Sequence, residues 1–578
     1  MFCFGRQRNS RLKGFSMKIE EVQRRLWEQS KEHREHSESN LPLFPVNPYD
    51  KRIRKLMDLI HNPTWLREAA NRVLTRSYGK KLGVDGVTVG QFREKWDDNL
   101  EELRLELKRG TYRPKPVRQA MIPKANGQMR ALGIPCLRDK IVQEAMRMAL
   151  EPIFEVDFHD NSYGFRPNRS AHHAVHRCQQ LIRNNFAWVI EGDVKACFDE
   201  ISHKSILKAV REKVMDNKFL DLVELFLKAG ISIEGKVHPT ERGVPQGGVI
   251  SPLLANAVLN KLDWYLHEKG ETGPKATSRS ISHGRTNIRF VRYADDWCVF
   301  ITRGTRRYAE RLRDEISEFL LRECGLRLSV EKTLITHIRD GFEFLGFELS
   351  RGIGTHGKMI AKIKVSRKAI RNFKTRLCDA VRHVKRYVSI SARIYRASQV
   401  VRGWGEYFRI AHNFSKVAGD MGCYTFWTMV KTICRLMDIP TGKCLKQYYH
   451  KTTICYKRME YLAKMTDITM KLDYRRPNPY VPGGLNTYEP DAEPEEKKYI
   501  SEQKRPGYRD LKLTQLQQDQ YRCRKCGKDV TIKDSELDHM IPIKNFPSYE
   551  LANTPENLRT LCRECHRTKG DSGPKRTK

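Results

Sequence analysis

No apolar run in the chain approaches the ~20 residues that a membrane span needs, and Met1 to Arg8 carry no apolar segment ahead of their basic residues. Neither insertion nor secretion is therefore expected. Internal repeats at solenoid periods are missing, as are low-complexity tracts outside one linker, which excludes repeat arrays. A disulfide frame is missing too: of fifteen cysteines, eleven are scattered from Cys3 to Cys455 without regular spacing, as in a reducing compartment. Acid is scarce relative to base. The chain holds 69 Asp and Glu against 107 Lys and Arg, a net charge of +38, and an excess of that size calls for a polyanionic partner, nucleic acid first. Hydrophobic residues at 39% and aromatics at 9% exclude an extended disordered tail. A single core stops growing at roughly 250 to 300 residues, so this chain of 578 is expected to form at least two domains.

Composition shifts mark the divisions. From Arg475 the sequence RRPNPYVPGGLNTYEPDAEPEEKK is rich in Pro, Gly and then acid, with no helical or strand period, and reads as a linker to a Cys-bearing module. A second shift lies near Lys362. Residues 361 to 400 carry twelve Lys or Arg and one acid, Asp379. Ile370, Phe373, Leu377, Val381 and Val384 recur at steps of three or four and predict a helix that Ser366 can cap. Ser391 is expected to open a second helix, with Ile394, Ala397, Val401, Trp404 and Phe408 on its apolar face. Bases on the outer faces of such a pair can grip a phosphate backbone.

Before Lys362, helices mix with short strands. Trp188, Val189 and Ile190 lead an apolar run to Asp193, and Ile288 to Tyr293 and Trp297 to Ile301 read as strands separated by Ala294, Asp295 and Asp296. That hairpin sets two carboxylates side by side, where they repel and raise one another's pKa. A divalent cation resolves the conflict, and magnesium takes carboxylate and phosphate oxygens. With Asp193 as a third acid, two ions ~3.5 to 4 Å apart could activate a 3′-hydroxyl and stabilise a leaving pyrophosphate. A solvated acid pair in a turn satisfies the same spacing.

Tyr293-Ala294-Asp295-Asp296 resembles the YxDD box of reverse transcriptases, and Asp193-Val194-Lys195-Ala196-Cys197-Phe198-Asp199 resembles the strand that supplies their other metal-binding aspartate. Around them, in order, stand Gly83-Val84-Asp85-Gly86, Ile122-Pro123-Lys124 through Arg130 to Leu132-Gly133-Ile134-Pro135, Ser162-Tyr163-Gly164-Phe165-Arg166, Pro245-Gln246-Gly247-Gly248 and Phe344-Leu345-Gly346-Phe347. These blocks resemble group II intron reverse transcriptases, also called maturases, over about residues 50 to 350. The resemblance implies an α+β fold. A right-hand polymerase with fingers and palm would occupy 50–360 after an N-terminal extension, 1–49. A helical thumb/maturase domain with RNA-binding helices would follow over 361–474, most recognisable at Arg402-Gly403-Trp404-Gly405-Glu406-Tyr407-Phe408. Linker 475–507 would double as a DNA-binding segment, and 508–578 would be a small zinc-stabilised ββα-metal module.

Roles follow from the same resemblance. Asp193, Asp295 and Asp296 would bind two catalytic magnesium ions. Lys124 and Arg130 would meet the incoming triphosphate, Phe198 would lie beneath the deoxyribose and exclude a 2′-hydroxyl, and Gln246 with Gly247 would approach the nascent pair. Lys332 is a candidate proton donor to the departing pyrophosphate. Surface ion pairing at the bases and a core aromatic at Phe198 are the competing readings.

Near the C-terminus, Cys523-Arg524-Lys525-Cys526 and Cys562-Arg563-Glu564-Cys565 are two CxxC pairs whose four thiolates can close a tetrahedral structural zinc site. A zinc ribbon needs no more than that. Asp538-His539, Asn557 and His566 go beyond it and resemble the HNH nuclease motif. By that resemblance His539 would be the general base, Asp538 and His566 would hold one divalent ion against the scissile phosphate, and Asn557 would orient the loop or the base. Many relatives carry His where this chain has Asp538, and an inactive zinc module is the competing reading.

The implied protein is group II intron-encoded and multifunctional: an RNA-directed DNA polymerase, a splicing maturase and an HNH endonuclease that nicks the target strand to be extended. Its partners would be the parent intron RNA, a DNA target and dNTPs, with no membrane, in a bacterial cytoplasm beside the nucleoid or in an organelle. The rivals are an RNA-binding splicing cofactor with little polymerase activity, against which all three acids are present, and a defence-associated reverse transcriptase/nuclease.

Overall fold

The computed structural model describes residues 18–39, 52–77, 82–123, 129–184, 186–270, 286–329, 331–354, 357, 359–385, 387–450, 452–456, 460–468, 488, 515–516, 518–531, 535–540, 557–562 and 564–565. Two compact units divide the chain, Met1–Tyr488 and Glu489–Lys578. Apart from Tyr488, the expected linker lies outside the described residues. Tyr488 itself is buried, and burial with the charges of Glu151 and Glu155 pushes its hydroxyl well above the usual tyrosine range.

Up to residue 365 the described strands of the first unit are β1 (Val117–Pro123), β2 (Met129–Ile134), β3 (Phe186–Asp193), β4 (Ile231–Ile233), β5 (Lys236–His238), β6 (Ile288–Tyr293), β7 (Asp296–Thr302), β8 (Leu334–His337), β9 (Phe342–Phe344), β10 (Phe347–Ile353) and β11 (Met359–Val365). The central sheet is antiparallel, in the order β6-β7-β3-β8. A second sheet runs β2-β1-β4-β5, and a third runs β11-β10-β9. Alternate residues of β7 serve different cores. Trp297, Val299 and Ile301 join the core that includes Ile141 and Leu254, while Cys298 and Phe300 join another with Phe347, Phe373 and Phe414. A sheet covered on both faces explains why this strand reads as a continuous apolar run.

Ser366 accepts from the Ala369 N–H and opens the helix Arg367–Val381, whose Phe373, Leu377 and Val381 are buried; Val384 lies beyond its end. The next helix, Ile390–Phe408, is capped by Ser389 instead of the expected Ser391. Ser389 has extended backbone, φ −61° and ψ 157°, which lets its hydroxyl accept from the Ala392 N–H, whereas Ser391 is already helical. One base expected on the outer face is turned inward. Arg393 is buried and donates to the carbonyls of Val381, Lys385 and Val388, tying down the connection between the two helices. No helix among the described residues is long and apolar enough to cross a membrane.

In the second unit, Ser535–His539 pairs antiparallel with Leu558–Cys562. Its described core is small: Leu516, Cys523, Val530, Leu561 and Cys562. A core of that size benefits from a covalent or metal staple.

Candidate active site

The hairpin β6–β7 closes with Tyr293 opposite Asp296, so its turn is Ala294 and Asp295. Ala294 takes the left-handed conformation (φ 58°) that such a tight turn demands. Behind it, Arg292 is fully buried and turns all three guanidinium nitrogens to fixed acceptors: both oxygens of Asp263 at 2.7 and 2.6 Å, Asn256 Oδ1 at 2.8 Å and the Ala294 carbonyl at 2.9 Å. Asn256 also donates to the Gly164 carbonyl, and a Cβ on Gly164 would come within 2.3 Å of the Ala294 nitrogen. The Ser162-to-Arg166 block thus supports the turn from below. Sequence reasoning missed Arg292, Asn256 and Asp263 as supports; the signal was that Arg292, unlike Arg289, falls in step with the core residues Ile288 and Phe290 along β6.

β3 places the third acid. Asp193 stands directly opposite Asp296 in the register of β3 with β7. The three sequence-predicted carboxylates therefore meet at one end of the central sheet. Burial pushes up the Asp295 carboxyl, helped by the charge of Asp193. Burial, then the charges of Asp295 and Asp193, raise Asp296 to about 6. The nearest cation is Lys332, whose Nζ lies 2.6 Å from Asp193 Oδ2 and whose pKa that hydrogen bond raises. A cluster of acids that suppresses its own ionisation is a donor set suited to hard divalent ions.

A cleft of about 610 Å³ opens over the acids and is also lined by Arg130, Phe165, Phe198, Gln246, Gly247 and Lys332. Phe198 is half-buried against the core and meets Phe165 edge to face at 6.5 Å. Gln246 Nε2 donates to Asp199 Oδ2 at 2.9 Å, and its carbonyl accepts from the Gly133 N–H. Gly247, at φ 121°, lies so close to Gly133 that a Cβ would come within 2.5 Å of its carbonyl oxygen. Only glycine fits that approach. Lys124 lies outside the described residues.

A second cleft of about 960 Å³ begins at Asp193 and Asp296 and runs between the central sheet and the basic helical hairpin. Lys368, Asn372 and Arg376 line it at four-residue steps from one helix, and Gln399 and Gly403 do so from the other. The Phe344-to-Phe347 turn forms its floor, held by the Tyr407 hydroxyl donating to the Leu345 carbonyl at 2.9 Å and by Phe347 against Phe408.

In the second unit the sulfurs of Cys523, Cys526, Cys562 and Cys565 all lie within 4.8 Å of one another, with Cys526 and Cys562 3.8 Å apart. Four Zn–S bonds of ~2.3 Å in a tetrahedron imply sulfurs roughly 3.8 Å apart, so the donor set fits zinc. Although burial opposes it, hydrogen bonds from the backbone of Cys562, Cys526 and Lys525 bring the Cys523 thiol down to about 6. Asp538 is buried, and its Oδ2 accepts from Arg559 Nε at 2.7 Å across the strand pair. Asn557 is buried next to the pair, its carbonyl accepting from the Met540 N–H. His539 ends its strand, while its side chain and His566 lie outside the described residues.

Three families match along the chain: reverse transcriptase (RNA-dependent DNA polymerase) over residues 122–349, the group II intron maturase-specific domain over 370–449 and HNH endonuclease over 523–572. Together they define a class: an RNA-directed DNA polymerase joined to a maturase domain and an endonuclease domain. Protein YkfC of Escherichia coli K12 is 42% identical over 342 residues, 56% of this chain and 90% of that protein. Group II intron-encoded protein LtrA of Lactococcus lactis is 34% identical over 303 residues, 44% of this chain and 50% of that one. Putative COX1/OXI3 intron 2 protein of Saccharomyces cerevisiae is 27% identical over 457 residues, 68% of this chain and 53% of that one. The chain thus spans about half the length of the last two. It belongs to the group II intron-encoded reverse transcriptases and maturases, with a C-terminal HNH domain. The splicing-cofactor and defence readings are not favoured by these relatives.

Proposed function

We propose that the protein copies RNA into DNA at Asp193, Asp295 and Asp296, holds its parent intron RNA on the helices after Lys362, and nicks with its HNH unit the DNA target strand that it then extends. The central sheet serves as palm, the sheet containing β1 and β2 as part of the fingers, and the basic hairpin as thumb. The observation that carries this reading is the meeting of three mutually repelling carboxylates on the floor of a cleft walled by Arg130, Phe198 and Gln246. Two magnesium ions held there would activate the primer 3′-hydroxyl and stabilise the leaving pyrophosphate. Arg130, with Lys124, presents positive charge to the dNTP phosphates. The Phe198 ring closes the space a 2′-hydroxyl would need, and Gln246, anchored by Asp199, faces the nascent pair with Gly247. Lys332, beside Asp193, is the candidate proton donor to the departing pyrophosphate.

In the second unit the four cysteines hold structural zinc. His539 acts as base, Asp538 and His566 hold one divalent ion, and Asn557 orients the loop. Purification with accompanying RNA, sequencing of that RNA, and primer extension with dNTPs against rNTPs test the whole reading. A copurified intron and dNTP-dependent extension are expected. Asp295→Asn should abolish extension and spare RNA-assisted splicing, while His539→Ala should remove the nick and leave extension of a ready-made primer intact. Extension that persists in Asp295→Asn would sink the metal assignment.

A further inference from the structure

Two tyrosines of the basic hairpin stand largely in solvent. Tyr387, on the connection between its helices, is 80% exposed, and Tyr395, on the second turn of Ile390–Phe408, is 64% exposed. An exposed aromatic on a loose loop would mean little, but this connection is held. The buried Arg393 guanidinium fixes the carbonyls of Val381, Lys385 and Val388 on either side of Tyr387. Lys385 Nζ lies 5.7 Å from the Tyr387 ring centroid. The segment that carries both rings is strongly basic, and its single acid between residues 361 and 400, Asp379, is engaged by His383.

Their place in the fold adds a direction. Gln399 and Gly403 line the large cleft, and Tyr395 precedes Gln399 by one turn on the same helix face. From Gly403 back to Tyr395 the helix axis advances roughly 12 Å. The other end of the helix, at Tyr407, is bonded to Leu345, which also lines the cleft over the three acids, so Tyr395 extends the wall away from them, and Tyr387 lies before the cap of that same helix. Paired bases in a duplex offer no faces to such rings along its length. Unpaired bases do, and stacking of this kind is tolerant of sequence.

We propose that Tyr387 and Tyr395 form a stacking platform for unpaired bases of an RNA strand at the outer end of the cleft, with Lys385 and Arg396 beside them for its phosphates. This rests on the reading of the hairpin as an RNA-binding element and names the form of RNA it takes. The test is fluorescence anisotropy of the full-length protein with a labelled single-stranded 12-nucleotide RNA and a 12-base-pair RNA duplex. Tyr387→Ala and Tyr395→Ala should each weaken single-strand binding by about five-fold or more and duplex binding by less than two-fold. The salt dependence should keep its slope, because no charge is removed. Tyr387→Phe and Tyr395→Phe should retain binding. Unchanged single-strand affinity, or equal losses on both RNAs, overturns the platform while leaving RNA binding by the hairpin intact. Wild-type binding to neither RNA overturns the RNA-binding reading and the platform with it. Self-association of the wild type that both Ala variants abolish, with RNA affinity unchanged, would make the patch a contact between copies and also overturn it.

Discussion

Asp193 and Asp296 face each other across β3 and β7, and burial, with the charges of Asp295 and then Asp193, holds the Asp296 carboxyl at about 6. The ordinary value is 3.8, so the folded, metal-free protein binds this proton more tightly than the unfolded chain does. The stability this proton brings is full below about pH 4, falls as pH rises toward 6, and is gone above that. Asp296→Asn should therefore raise the melting temperature of the magnesium-free protein at pH 8, by on the order of 2 °C, while abolishing primer extension. Magnesium should raise the melting temperature of the wild type and leave that of the variant nearly unmoved. A variant that melts no higher than wild type without magnesium would show that burial and the neighbouring acids do not penalise the ionised Asp296.

Protons and metal compete for the same oxygens. Since Asp296 takes up its proton near pH 6, the magnesium concentration for half-maximal extension should climb as pH falls below that value, by up to ~10-fold per pH unit for each proton displaced. Titrations at pH 5.5, 6.5 and 7.5 measure this directly. A requirement that stays flat across the three would remove Asp296 from the ligand set.

Arg292 and Asp263 form a fully buried pair behind the turn at Ala294 and Asp295. Breaking such a pair typically costs about 3–5 kcal/mol, because the remaining charge stays buried without its partner. Asp263→Asn and Arg292→Lys should both lower the melting temperature. They should differ in activity. Asp263→Asn leaves the Arg292 bond to the Ala294 carbonyl in place, whereas an ammonium cannot reproduce a planar fork directed at Asp263, Asn256 and Ala294 together. At a temperature where both variants remain folded, extension should fall further in Arg292→Lys, and equal losses would deny the turn-holding role.

The same pair shows where sequence reading stops. The acids were legible because their motif is local: Tyr293 to Asp296 is one hairpin tip, and the apolar run ending at Asp193 is one strand. Helical spacing likewise gave Phe373, Leu377 and Val381 as a buried face. Asp263 sits 29 residues from Arg292, on the helix Ser251–Lys269, and no periodicity links them. Arg393 failed for a related reason. Counting charge assigns every arginine to solvent, but a loop with free carbonyls can draw one inward, and which one depends on where the chain turns. The cap moved from Ser391 to Ser389 because two serines compete and backbone geometry decides.

The two faces of the helix Arg367–Val381 should separate in their response to salt. Lys368 and Arg376 line the cleft beside the acids, while Lys374 places its ammonium 5.1 Å from the Tyr424 ring and Arg371 is exposed. Lys368→Ala with Arg376→Ala should weaken primer–template binding and reduce the log–log salt slope by up to ~0.9 per lost contact on a duplex. Replacing Arg371, Lys374 and Arg382 together should weaken binding of the intron RNA and leave extension of a short primer–template near wild type. Identical effects on both substrates would mean that one surface serves both.

Arg559 Nε lies 2.7 Å from Asp538 Oδ2, a contact that sets the proposed ion-ligand role of Asp538 against a structural one. As an ion ligand it must release that guanidinium when the divalent ion binds, so Arg559→Met should lower the metal concentration needed for nicking. As a purely structural acid it should give the opposite pattern, with Asp538→Asn and Arg559→Met both destabilising the strand pair and neither shifting the metal requirement. Removing the proposed zinc would separate its stapling role from the proposed catalytic ion. On the proposed zinc assignment, a chelator selective for zinc over magnesium should unfold the second unit, because the four thiolates would lose the ion that joins them beside a small described core. Nicking should then be lost while primer extension by the first unit continues. Retention of nicking after zinc loss, verified by metal analysis of the same sample, would show that the cysteine cluster is dispensable for the nuclease fold.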